Sequence, residues 1–205
     1  LTLHGPVSDI CLRASGEVET EDHAGMVRGT VERFPPGIFL RETRLTTPVP
    51  EIADFTREAV ASETNPLHRM HALMNALNAR LTFDTGATEV LTTAAEAFAT
   101  GHGVCQDFTH VFLTAARGLG IPARYVSGYL YRPDAIEQEA THAWAEVHIP
   151  DLGWVAFDPT NAVCATDSYV RLAVGLDYLD CAPVKGSYQG GGPETMHVAL
   201  KIEKA

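Results

Sequence analysis

Cys105 stands in the run Gly101-His-Gly-Val-Cys-Gln-Asp-Phe108. An apolar stripe follows at Val104, Phe108, Val111, Phe112, Ala115 and Leu119, the spacing of one helical face. The run therefore reads as a tight glycine-rich loop feeding a helix, with the cysteine in the first turn. A thiolate there is favoured by unpaired backbone N–H groups and the positive end of the helix dipole. The same N–H groups can hold the oxyanion of a tetrahedral intermediate. Gly101 and Gly103 lack a Cβ, so a substrate backbone can approach, and Gly103 is a candidate substrate contact. A cysteine is by itself more often a small buried hydrophobe. The assignment needs a base.

His142 and Asp158 supply one. On a strand over 142–149, His142, Trp144, Glu146 and His148 share one face, and Ala143, Ala145, Val147 and Ile149 share the other, apolar one. If this strand forms a hairpin with 154–158 centred near Pro150, His142 lies directly opposite Asp158. Opposed side chains have Cβ atoms roughly 5 Å apart. The aspartate would then hold one imidazole nitrogen and leave the other for the thiol. The bland alternatives are a surface histidine and a turn at Asp158-Pro159. Trp144 and Trp154 are candidate substrate-binding walls, with core packing the alternative. A metal reading draws on His102-x2-Cys105-x4-His110 and on His68-x2-His71. Structural zinc sites bring closely spaced cysteine pairs, and this sequence has none, so no metal and no cofactor are expected.

The elements that must position these residues are legible in outline. Residues 1–49 look β-rich, with Val27, Thr30, Val31, Ile38, Phe39 and Leu40 set among turn formers, and Pro48-Val49-Pro50 marks a boundary. We expect a β-rich N-terminal segment over 1–49 and a catalytic core over 50–205. Helices are expected over 52–61, over 66–81 with apolar residues at three-to-four spacing, and after the capping-box pattern Thr93-Ala-Ala-Glu96. Gly118-Leu-Gly120-Ile-Pro122 ends the cysteine helix. Strands follow over 123–131, 142–149 and 154–158. Residues 132–139 read as a polar loop, Gly190-Gly-Gly192 as a turn, and 196–202 as a last strand. Helices followed by antiparallel strands imply α+β.

The 205 residues can bury a sizeable core, and the net charge of −11 argues against a nucleic-acid partner. No apolar run is long enough for a transmembrane helix, so no membrane association is expected. No leader pattern opens the chain, which begins with Leu rather than Met. The four cysteines, Cys11, Cys105, Cys164 and Cys181, are widely spaced and do not form a disulfide framework, so a cytoplasmic, reducing compartment is expected.

Four blocks carry a resemblance: residues 101–110, 120–129 (Gly-Ile-Pro-Ala-Arg-Tyr-Val-Ser-Gly-Tyr), 141–147 (Thr-His-Ala-Trp-Ala-Glu-Val) and 153–161 (Gly-Trp-Val-Ala-Phe-Asp-Pro-Thr-Asn). In this order they resemble the core of bacterial transglutaminase-like proteins, many of them described as cysteine proteases. The resemblance covers about 51–205, with a weaker one over 1–49. It implies a papain-like α+β core, with Cys105 as nucleophile, His142 as general base and acid, and Asp158 as the orienting acid. Phe83 stands where many relatives have a tyrosine. The implied activity is acyl transfer from an amide through a thioester, on a peptide or protein substrate, leaning to hydrolysis. Transfer to an amine, as in a transglutaminase, and a non-catalytic peptide-binding module are the alternatives.

Overall fold

The structure is a computed structural model that describes residues 5, 8–135, 137–138, 140–186, 190 and 195–204. The helical layer holds α1 (Pro50–Ala59), α2 (Pro66–Arg80), α3 (Ala94–Thr100) and α4 (Cys105–Gly118), with two short strands, β1 (Thr82–Phe83) and β2 (His102–Gly103), between them. The second half holds β3 (Ala123–Leu130), β4 (Glu137–Gln138), β5 (His142–Ile149), β6 (Gly153–Asp158), β7 (Val163–Cys164), β8 (Tyr169–Gly175), the single-turn α5 (Tyr178–Cys181) and β9 (Leu200–Lys201). The main sheet is antiparallel, in the order β7-β6-β5-β3-β8. This is the expected α+β arrangement, a cysteine-bearing helix packed on an antiparallel sheet.

Local chemistry explains the helix ends. Asn65 caps α2, its side chain accepting from the N–H groups of Leu67 and His68, with Pro66 in the first turn. Thr93 and Glu96 form the expected reciprocal box at α3, and Gly101 ends that helix at φ 76°. α4 is buried on nearly every side, from Asp107 to Arg117. Phe108, Val111, Phe112 and Leu113 join Met70, Leu73 and Leu77 of α2 and Ala143, Ala145 and Val147 of β5 in one core. Burying each large side chain contributes about 1.5–3 kcal/mol, which holds the helix against the sheet.

Four expectations need correction. Among the described residues of 1–49 there is no strand, only one bridge from Met26 to Val155 and two 3-10 turns, Pro36–Leu40 and Arg44–Thr46. Pro35 and Pro36 remove two consecutive donors, and β7 already occupies the end of the β6 edge at Phe157 and Asp158. The segment nonetheless packs on the core. Glu32 grips buried Arg124 at 2.6 and 3.0 Å, and buried Arg117 bonds Phe39 O and Thr46 Oγ1. The loop expected over 132–139 contains β4, which pairs with β9, and the last strand is the two residues of β9 rather than 196–202. Of the expected glycine turn, Gly191 and Gly192 lie outside the described residues.

The fourth correction is the hairpin register. Ile149 pairs with Gly153 and Ala145 with Phe157. The hairpin is thus centred on Asp151, at φ 67°, and not on Pro150. Continuing the ladder sets Asp158 opposite Trp144, one diagonal step from His142. The slip is an even number of positions between partners, so His142 and Asp158 keep the same face.

Candidate active site

Cys105 is the first residue of α4 and is half-buried. The first N–H groups of a helix have no intrahelical acceptor. The loop before it is shaped by Asp107, which is 1% exposed. Its Oδ2 accepts from the Val104 N–H at 2.8 Å and from the Thr88 hydroxyl at 2.7 Å. Gly103 makes room for that carboxylate, since a Cβ there would lie 2.7 Å from the Asp107 Cβ. Its place in the fold is therefore accounted for by Asp107. Burial pushes the Asp107 carboxyl up, against the hydrogen bonds from Thr88 and Val104. Gln106 donates to Val90 O at 2.9 Å, so the 84–93 loop is fastened to the start of α4 twice.

His142 opens β5. Its Nε2 lies 2.6 Å from Asp158 Oδ2, and Cys105 is near enough to act on its charge. Since Nε2 is engaged with Asp158, Nδ1 is the nitrogen left for the sulfur. Burial lowers the imidazole pKa, but the hydrogen bond to Asp158 and the pull of Asp158 and Cys105 outweigh it and raise the group to about 10. The raised pKa favours the imidazolium form, with Nε2 donating to Asp158.

Asp158 is fully buried. Its Oδ1 accepts from the Thr160 and Asn161 N–H groups at 2.9 and 3.1 Å, and its Oδ2 accepts from Asn161 Nδ2 at 2.7 Å and from the Tyr169 hydroxyl at 2.8 Å. Burial would raise this carboxyl; the His142 hydrogen bond and charge, with Asn161 and Tyr169, bring it below the usual value. Asn78 of α2 donates to Pro159 O and Thr160 O and so pins the turn after the aspartate.

Cys105, His142 and Asp158 are thus brought together from α4, β5 and β6. The remaining sequence candidates fall elsewhere. Trp144 is buried, with its ring stacked 6.1 Å from that of His142, so it backs the imidazole rather than walling an open cleft. Gly128, which faces His142 across the β3–β5 ladder, leaves it space: a Cβ would sit 2.5 Å from the indole and 2.2 Å from Val170 O. Trp154 lies at the far end of β6 from Asp158, packed edge-on against Phe39 and His148 with the Arg124 guanidinium 3.9 Å from its ring. Among the described residues no group of three His, Cys, Asp or Glu side chains could hold a metal. His102 lies exposed beside Asp84, and His110 is buried, accepting from the Tyr178 N–H. Tyr169, Asn161 and Asn78 were missed by sequence reasoning. Asn161 had a signal, three residues after Asp158 in the Asp-Pro-Thr-Asn turn.

The sequence profile of the transglutaminase-like superfamily matches residues 53–159, just over half of the chain, and spans all three of these residues. The chain belongs to this superfamily. An uncharacterised protein of Mycobacterium leprae is 31% identical over 98% of this chain and 76% of its own length. The solved structure of a Cytophaga hutchinsonii protein, provisionally described as a cysteine protease, superposes with a TM-score of 0.68 at 22% identity, over 91% of this chain and 63% of that one. Its fold is therefore shared, and this chain spans less than two thirds of it. The periplasmic domain of TgpA from Pseudomonas aeruginosa is also similar, at 22% identity and a TM-score of 0.48 over 62% of this chain and 47% of that one. The cytoplasmic expectation is not kept, since that similar domain is periplasmic by its own description. It rested on widely spaced free cysteines, a pattern that does not bind a member of this superfamily to a reducing compartment. Among the described residues no helix is long and apolar enough to cross a membrane.

Proposed function

We propose that this chain is a cysteine-dependent acyl-transfer enzyme acting on amide bonds of peptides or proteins, with water as its principal acceptor. The observation that carries the proposal is His142, which is held by Asp158 through Nε2 and lies close enough to Cys105 for the sulfur to raise its pKa. Cys105 is the nucleophile, His142 the acid and base, and Asp158 the residue that orients the imidazole and stabilises its charged form.

The thiolate attacks the amide carbonyl carbon, forming the C–S bond and sending the carbonyl electron pair onto oxygen. In this reading the N–H groups of Cys105 and Gln106, at the start of α4, receive that oxyanion. His142 gives its Nδ1 proton to the amide nitrogen, the C–N bond breaks, and the amine leaves a thioester behind. Water then attacks the thioester, its proton passes to His142, and the C–S bond breaks to return the thiolate. A primary amine in place of water would make an isopeptide or amide product by the same steps.

The experiment is incubation with a panel of glutamine-containing peptides, with and without a primary amine, followed by mass spectrometry. We expect free acid or cleaved peptide without the amine, a minor amide product with it, and neither product from Cys105→Ala. A dominant amide product would assign transamidation. No product from any peptide, with tight peptide binding, would instead support a binding module.

A further inference from the structure

Asp158 Oδ2 receives three donors: His142 Nε2 at 2.6 Å, Asn161 Nδ2 at 2.7 Å and the Tyr169 hydroxyl at 2.8 Å. A carboxylate oxygen has about two lone-pair sites, so these donors share its charge. Tyr169 also closes on the pair with its ring. It meets Trp144 edge-on at 5.3 Å, while its centroid lies 6.0 Å from that of the imidazole. The imidazole itself stacks on Trp144. Tyr169 opens β8, at the other side of β3 from β5, and so reaches the pair from a separate strand.

We propose that Tyr169 is a positioning residue for the reaction assigned above: it fixes the imidazole between Asp158 and Trp144 and moderates the pull of Asp158 on the proton His142 carries. The proposal rests on reading His142 as the acid and base of Cys105.

That proton must leave His142 when the amine departs. A bare buried carboxylate would hold the imidazolium strongly and slow the transfer. A neutral donor on the same oxygen weakens the hold without supplying a competing positive charge. Tyr169 is suited to this, because burial first and the Asp158 charge second push its phenol well above the ordinary value, so it stays a donor. The other titratable groups facing the pair are Cys105 from α4 and Cys164 from β7, the latter acting on Tyr169. His71 of α2 packs its ring 5.1 Å from that of Phe157, next to Asp158. Asn161 alone cannot replace Tyr169, since it comes from the Asp158 turn itself and makes no ring contact with the imidazole.

The test uses Tyr169→Phe, which keeps the ring and removes only the hydroxyl, in protein labelled with 15N-histidine. His142 is assigned by its loss in His142→Ala. We expect the His142 midpoint to rise by about half a unit or more in the variant, because its neutral form leaves a less stabilised carboxylate behind. In Tyr169→Leu, which also loses the ring, the Nε2 proton should exchange faster with water. An unchanged midpoint in Tyr169→Phe with unchanged exchange in Tyr169→Leu overturns the proposal. The underlying reading is checked separately by thiol labelling of the unaltered protein. If Cys105 there reacts no faster than exposed Cys11, the catalytic assignment fails whatever the titration shows.

Discussion

A single imidazole is held by a buried carboxylate beside a half-buried sulfur, and small residues nearby decide whether that is possible. Gly128 is the most constrained of them, with backbone Val170 O and the Trp144 indole both inside the space of a methyl group. Neither can withdraw easily, since the carbonyl belongs to β8 and the indole is buried. Gly128→Ala should therefore destabilise the fold by about 1–3 kcal/mol and displace Trp144 from behind His142. Denaturant unfolding with near-ultraviolet circular dichroism of the tryptophans would measure both. Wild-type stability and an unchanged tryptophan signal would refute the packing described for this corner. At this scale the sequence was most legible: Cys105 and His142 declared themselves by neighbours and parity, and Asp158 by parity despite a misplaced hairpin centre. Tyr169 did not, because its contact depends on β8 lying beside β3, and no spacing in the chain encodes that adjacency.

At the scale of elements, α4 and the hairpin were readable because apolar periodicity reports a buried face directly. The N-terminal segment was not. Its Val31 and Phe34 are exposed, and its fixed points are an arginine pair reaching out from the core. Such anchoring leaves no periodic trace. The segment covers charges that would otherwise be stranded. Arg124 is 1% exposed and held between Glu32 and Glu146, and Arg171 also reaches Glu146 at 2.8 Å. Glu32→Gln leaves Arg124 with one carboxylate partner and should cost about 1–3 kcal/mol, less than losing a fully buried partner because Glu32 is partly exposed. Equilibrium denaturation would show it. No change in midpoint would mean that solvent or Glu146 alone satisfies Arg124. Deleting residues 1–45 would take Glu32 from buried Arg124 and Phe39 O from buried Arg117.

The whole molecule should carry a pH signature from the same buried groups. His110 is fully buried, and burial, aided by the Arg117 charge, lowers it to about 3. The folded state then excludes a proton that the unfolded chain binds below about 6.5. Stability must fall as pH drops through that value toward the folded one, with a slope of at most about 1.4 kcal/mol per pH unit from this group. His71, lowered by burial and by His68, adds a share of the same sign. Asp107, raised by burial, acts oppositely but only lower, in the carboxylate range. His142 is protonated in both states below pH 6 and contributes no slope there; its contribution is lost on the alkaline side, as pH rises toward about 10. Urea unfolding from pH 6 down to 5 should show the loss, and His110→Gln should flatten it. An identical slope in that variant would remove His110 from the account.

The central claim is that Cys105 and His142 act as one unit, and the rate at which each cysteine reacts tests it most directly. Iodoacetamide at about pH 6, in defect, followed by peptide mapping, ranks the four thiols in the native protein. Cys11 is exposed, Cys105 and Cys164 are half-buried, and Cys181 is buried. Exposure alone therefore ranks Cys11 first. The account predicts that Cys105 reacts first despite its lower exposure, and that His142→Ala slows it by about tenfold or more while leaving Cys11 unchanged. Cys11 reacting first, with Cys105 indifferent to His142→Ala, would contradict it.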